Sequence, residues 1–294
     1  MANRKDEQTS LNKYISSSGF CSRREADRLI EQARVTVNDN IALPGARIYP
    51  GDVVEIDGEP VKSNVKRPIY IALNKPVGVT STTDTKDRTN IISFMNHPKR
   101  IFPIGRLDKD SDGLILLTND GDIVNKVLRA SNNHEKEYIV TVDKPVTPEF
   151  IKAMGNGVPV LDTVTKKCFV RQEGNKRFRI VLTQGLNRQI RRMCEYLGYK
   201  VVALTRIRIM NITLENLPVG KWRYLSAAEI DKLNVLVATS SKTEEASYIP
   251  QPATTAKTKP AKASKEPVKV AAKEPHTPSK KKTSYKDFRN RKKK

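Results

Sequence analysis

Cysteine is scarce. Three residues, Cys21, Cys168 and Cys194, make an odd number, and none forms a Cys-x-x-Cys spacing. That pattern argues against a disulfide framework or a zinc site and fits a reducing cytoplasm, where we expect the protein to work. Long apolar runs are missing too. The start, Met1 to Gln8, lacks the apolar core of a signal peptide, and no stretch of about 18 apolar residues occurs, so no membrane span is expected. Phosphate-binding glycine loops, metal-ligand clusters and dinucleotide fingerprints are absent as well, and neither a metal nor a small-molecule cofactor is expected. Hydrophobic residues make up 37% of the 294, which suggests that part of the chain does not pack.

Positive charge is plentiful. The net charge of +22 and pI near 9.9 point to a polyanionic partner. From Thr239 onward there are 16 basic against 5 acidic residues, leaving 38 against 27 before it. Each part therefore carries +11. Residues 239–294 are rich in Ala, Lys, Pro, Thr and Ser and end in Lys292-Lys293-Lys294. They hold too little apolar surface to offset chain entropy, so we expect a disordered basic arm adding non-specific RNA affinity.

Residues 10–63 read as a small unit of their own. Leu11, Tyr14 and Ile15 recur at helical spacing, and Ser22 with Glu25 forms a capping box. Ala26, Leu29 and Ile30 make the apolar stripe of that second helix. Short strands follow at 35–37, 41–43 and 53–56. Lys13, Arg23, Arg24 and Arg28 cluster on the two helices. Ser10-Leu11-Asn12-Lys13-Tyr14-Ile15, Ser22-Arg23-Arg24-Glu25-Ala26, Val35-Thr36-Val37-Asn38 and Pro50-Gly51-Asp52 resemble the S4 RNA-binding module. The resemblance implies that those basic side chains meet phosphates of structured RNA, recognised by shape.

After a linker at 64–68 a second domain is expected over 69–238. Its strands include 69–73, 114–118 and 137–142, with a hairpin of 167–172 and 177–183. Helices are expected at 123–129, from the Thr147-Pro148 cap to about 154, after Asn187, and after the capping box of Ser226 and Glu229. The stretch to about Asn90 reads as irregular, and 201–214 as the longest strand. Strands and helices mix without a regular βαβ rhythm, which favours an α+β fold with a mixed, mainly antiparallel sheet and flanking helices.

The loop at Gly105-Arg106-Leu107-Asp108-Lys109-Asp110-Ser111-Asp112-Gly113-Leu114 draws the chain together. Asp108, Asp110, Asp112 and Gly113 match the start of an EF-hand calcium loop. The pattern fails at its twelfth position, Asn119, and a strand follows where a helix should. Gly105-Arg106-Leu107-Asp108, Lys75-Pro76-Val77-Gly78, Lys136-Glu137-Tyr138 and Asn187-Arg188-Gln189-Ile190-Arg191-Arg192-Met193 resemble, in order, the motifs of pseudouridine synthases. With the S4 module in front, the chain is similar to the RsuA branch, which acts on ribosomal RNA, and within it to members acting on the large subunit.

That resemblance implies an isomerase that breaks the glycosidic bond of a uridine, turns the base and rejoins it through carbon. A carboxylate must act as nucleophile or base, and Asp108 is the candidate. Arg191 would pair with it and favour its charged form. The target uridine would leave its stack, with Arg106 bracing the gap, Tyr138 stacking on the uracil and Ile209 forming an apolar wall. Structured stem-loop RNA is the expected partner, met by a monomer. The alternative is a non-catalytic S4-type ribosome-assembly factor that uses the second domain as scaffold.

Overall fold

A computed structural model describes residues 8–62, 68–128, 133–238 and 240. The expected linker and basic arm, apart from Pro68 and Ser240, lie outside them.

The N-terminal unit runs β1 (Thr9–Ser10), α1 (Leu11–Ser17), α2 (Arg23–Glu31), β2 (Val35–Val37), β3 (Asn40–Ile41), β4 (Arg47–Ile48), β5 (Val54–Ile56) and β6 (Glu59–Pro60). The Ser22 hydroxyl accepts from the Glu25 N–H, and the Glu25 carboxylate accepts in return from the Ser22 N–H, which starts α2. Leu11, Ile15, Ala26 and Ile30 lie against Val35, Val54 and Ile56 of the four-stranded sheet β3-β2-β5-β6.

The second part runs β7 (Tyr70–Lys75), α3 (Ile91–Met95), β8 (Phe102–Ile104), β9 (Asp112–Thr118), α4 (Gly121–Leu128), β10 (Lys136–Val142), α5 (Pro148–Asn156), β11 (Pro159–Val160), β12 (Thr163–Val164), β13 (Phe169–Gly174), β14 (Arg177–Leu182), α6 (Gln189–Tyr196), β15 (Val201–Ile209), β16 (Ile212–Thr213), β17 (Trp222–Tyr224) and α7 (Ala227–Val237). One sheet dominates, in the order β13-β14-β10-β15-β9-β7-β17, with β16 on β15 and β8 on β9. Only β15 and β9 pair in parallel among these described strands.

Burial explains the two kinds of strand pattern. Strands β7 and β9 are covered on both faces: Tyr70, Ala72, Leu114 and Leu116 meet α4 and α7, while Ile71, Leu73, Ile115 and Leu117 meet α3. Hence their unbroken apolar runs. Strands β10 and β14 are covered on one face, where Val140, Phe178 and Ile180 lie against Phe150 and Met154 of α5 and Met193 and Cys194 of α6. Their other face carries Glu137, bonded to Arg179 and Arg208.

Some expectations need correcting. The segment after the irregular stretch holds α3, capped by Asn90, and strand β8. Five helical residues are too few to show a period, and Pro103 argues against a strand except where, as in β8, only one neighbour needs its hydrogen bonds. Asn187 does not cap α6. The cap position belongs to Arg188, in the left-handed conformation without a side-chain cap bond, while Asn187 accepts a bond from Arg192. The long strand ends at Ile209 and turns back at Met210, whose φ is 52°.

The capping box of α7 does further duty. Glu229 accepts the Ser226 N–H and a two-pronged contact from Arg223 of β17, at 2.8 and 2.7 Å. Arg223 holds its carboxyl down to about 2, against the cost of burial. This stability is fully present above the unfolded carboxyl's ordinary range and is lost as pH falls from about 4.5 through about 2. Thermal melting of Glu229→Gln should show a loss of about 1–2 kcal/mol at pH 7 that disappears toward pH 2. A loss unchanged by pH would refute the ionic part.

Candidate active site

The loop from Gly105 to Ser111 leaves β8, passes over the sheet and enters β9. Five ties hold it. The buried Ser81 hydroxyl donates to the Leu107 carbonyl (2.8 Å) and accepts from the Leu107 N–H (3.1 Å). Gly78 N–H donates to the Lys109 carbonyl (2.7 Å), and Ser111 N–H to that of Asp108 (3.1 Å). Arg206, in β15, donates through Nη1 to the Arg106 carbonyl (3.3 Å) and through Nε to that of Leu114 (2.6 Å). Arg191, in α6, donates to the Asp110 carbonyl and the Ser111 hydroxyl, both at 3.0 Å.

Gly113 lets the loop come so close. Its φ is +105°, and a Cβ there would lie 2.3 Å from the Arg206 carbonyl oxygen. The opposite side of β15 is shaped by a bulge: Glu137 faces Arg208 and Tyr138 faces Arg206, so Ile207 is the extra residue.

Asp108, Arg106, Tyr138 and Ile209 line one cavity of about 440 Å³, within the size range of small-ligand sites. Tyr138 is half-buried, Ile209 buried and Arg106 exposed. Arg191 lies below, its side chain 8% exposed, with Nε 3.8 Å from Asp108 Oδ2. That Nε has no hydrogen-bond partner among the described residues, although it is buried. A small approach by Asp108 would satisfy it. Asp108 is partly exposed, its side chain retaining 27% of its accessible surface. Arg191 has a second carboxylate partner, Asp110 Oδ2 at 3.3 Å.

Other residues join the site without having been singled out. Arg188 Nη1 lies 3.4 Å from Asp108 Oδ2 and 3.2 Å from Asp110 Oδ1. Lys75 is fully buried under the loop and donates to the carbonyls of Pro76 and Val79, both at 2.9 Å. Burial pushes its ammonium down to about 8, partly offset by Asp112. Lys136 lines the cavity, also held at about 8 by burial and the charge of Arg206. A charged residue inside an apolar strand, as with Arg206, is the signal that could have marked it.

The S4 residues divide. Arg23, Arg24 and Arg28 are exposed on α2. Lys13 instead pairs with Asp122 of α4 at 2.6 Å and, with Arg23 and Arg100, lines a cleft of about 550 Å³ between α1 and the second domain.

The family model for the S4 domain matches residues 9–54, and that for RNA pseudouridylate synthase matches 69–196. A crystal structure of a pseudouridylate synthase superposes with a TM-score of 0.57 at 29% identity, covering 76% of this chain and 99% of that one. The chain belongs to the RNA pseudouridine synthase family and is an S4-bearing isomerase of RNA. It is 57% identical to the dual-specificity RNA pseudouridine synthase RluF of Salmonella typhi over 250 residues, 85% of this chain and 86% of the relative. It is 34% identical to the ribosomal large subunit pseudouridine synthase B of Bacillus subtilis, over 77% of this chain and 96% of the relative.

Ser81 is the tie most open to test. Ser81→Ala leaves the Leu107 N–H without its partner in a buried place, and urea unfolding should record a loss of about 1–3 kcal/mol. A change under about 0.5 kcal/mol would show that the loop is held without it.

Proposed function

We propose that the enzyme isomerises a specific uridine of 23S ribosomal RNA, with Asp108 as the essential carboxylate and the nucleotide turned out of its helix. The observation that carries this reading is the shared cavity: a carboxylate, an aromatic ring and an apolar wall converge there, and a fixed guanidinium lies beneath. Uracil is flat and matches the face of Tyr138, with Ile209 closing the other side. The sugar then lies at Asp108, which attacks it or takes a proton from it. The N1 bond to the sugar breaks, the base turns, and the C5 bond forms with loss of the C5 proton to N1. Atoms balance without a cofactor. Extrusion costs a few kcal/mol, and the exposed Arg106 occupies the vacated place in the stack.

The bound nucleotide covers the exposed part of the Asp108 side chain. Arg23, Arg24 and Arg28 supply phosphate contacts on a structured stem-loop, and the name of the large-subunit relative supports ribosomal RNA as the substrate. We place this work in the cytoplasm, performed by a monomer.

Asp108→Asn should reduce pseudouridine formation at least about a thousandfold in transcripts of large-subunit RNA while RNA binding stays within a few fold. Residual conversion near the wild-type rate would remove Asp108 from its role. Changing Arg23, Arg24 and Arg28 together to Ala should weaken binding and lower the slope of log affinity against log salt by about 2–3. An unaltered slope in a filter-binding titration would exclude them from the RNA path.

A further inference from the structure

The catalytic cavity has a neighbour. Beyond Asp108 a groove of about 690 Å³ runs over Gly78, Thr80, Thr82, Lys109 and Asp110. Only four residues, Arg106, Leu107, Asp108 and Arg188, line both spaces. With the base beside Tyr138 and the sugar at Asp108, the backbone of the same nucleotide leaves across this partition. A phosphate on that path would lie near Asp110, a carboxylate 51% exposed and itself negative. Repulsion would keep the RNA away unless a cation moved between them.

The two nearby guanidinium groups differ in freedom. Arg191 is buried and bonded to the Asp110 carbonyl, the Ser111 hydroxyl and the Val201 carbonyl. Arg188 is 41% exposed, and among the described residues its guanidinium bonds to carboxylates alone: Asp110 at 3.2 and 3.3 Å, Asp108 at 3.4 Å. These are longer than the roughly 2.7–2.9 Å of a tight charge-assisted bond, so the pairing is easily exchanged. The carboxyl of Asp110 is nevertheless held below its usual range: burial works upward, but Arg188 and Arg191 outweigh it. The backbone of Arg188 is left-handed, with φ 49° and ψ 36°, uncommon for a residue with a Cβ. A stiff helix terminus in this conformation aims the side chain over the partition.

We propose that Arg188 is the phosphate receptor of the target nucleotide. When RNA binds, its guanidinium leaves Asp110 for the phosphodiester adjoining the extruded uridine, and Asp108 remains with Arg191. The groove over Thr80, Thr82 and Lys109 is the path of that backbone. This proposal rests on the role given to Asp108 above.

Single-turnover titrations test it, using a substrate stem-loop in which the phosphate on either side of the target uridine is a neutral methylphosphonate. For the wild-type enzyme, one of the two replacements should raise the half-saturating concentration about tenfold. Arg188→Gln should raise it to a similar degree, lower the salt slope by about 1, and be indifferent to that same replacement. Asp110→Asn, which removes the competing carboxylate, should lower the half-saturating concentration. A wild-type enzyme indifferent to both replacements overturns the proposal, and this outcome needs no variant to fold. So do losses from Arg188→Gln and the methylphosphonate that simply add, or a loss confined to the saturated rate. Should Asp108→Asn retain activity, the earlier reading fails. Should Asp108→Asn be inert while the phosphate results fail, Arg188 alone has been misassigned.

Discussion

One guanidinium, that of Arg191, is the point on which the site rests. It is buried, charged, and anchored in the first turn of α6. A lone charge in that place would be expensive, and the Asp108–Ser111 loop is what makes it tolerable. A carbonyl, a hydroxyl and two carboxylates converge on it. The dependence runs both ways, since Arg191 in turn ties Asp110 and Ser111 of that loop. Asp108 is thus placed chiefly by the ties of its neighbours, Leu107 to Ser81, Lys109 to Gly78 and Ser111 to Arg191.

The sheet makes this meeting possible. The parallel pairing of β15 with β9 brings Arg206 against Gly113, and α6, which follows β14 in the chain, reaches the loop with Arg191. Residues from three distant segments of chain, at Ser81, Arg191 and Arg206, then fix a loop of seven. Chemistry carried on a loop needs such bracing, because a small misplacement of a reacting group costs rate steeply.

Much of this was legible in the chain, for physical reasons that differ by residue. Capping boxes at Ser22 and Ser226 are local, and so were readable. The glycines beside Asp108 marked a shaped loop, and the double-sided burial of β7 and β9 wrote itself as unbroken apolar runs. The ties were not legible. Ser81 and Leu107 meet only through the fold, and nothing near Arg188 signals a left-handed residue, which is why Asn187 looked like the cap. Short α3 left no period to detect. Lys13 shows the same limit: the resemblance to the S4 module marked it as an RNA contact, and its ion pair with Asp122 is made only by the tertiary structure.

The central claim is that residue 108 meets the sugar of an extruded uridine with Arg191 behind it. A crystal structure of Asp108→Asn bound to an unreacted substrate stem-loop tests it most directly. The account predicts the uracil between Tyr138 and Ile209, and the sugar C1′ within about 3.5 Å of the side chain at position 108. A target base still stacked in its helix, or a sugar seated away from the Asp108 loop, would contradict it.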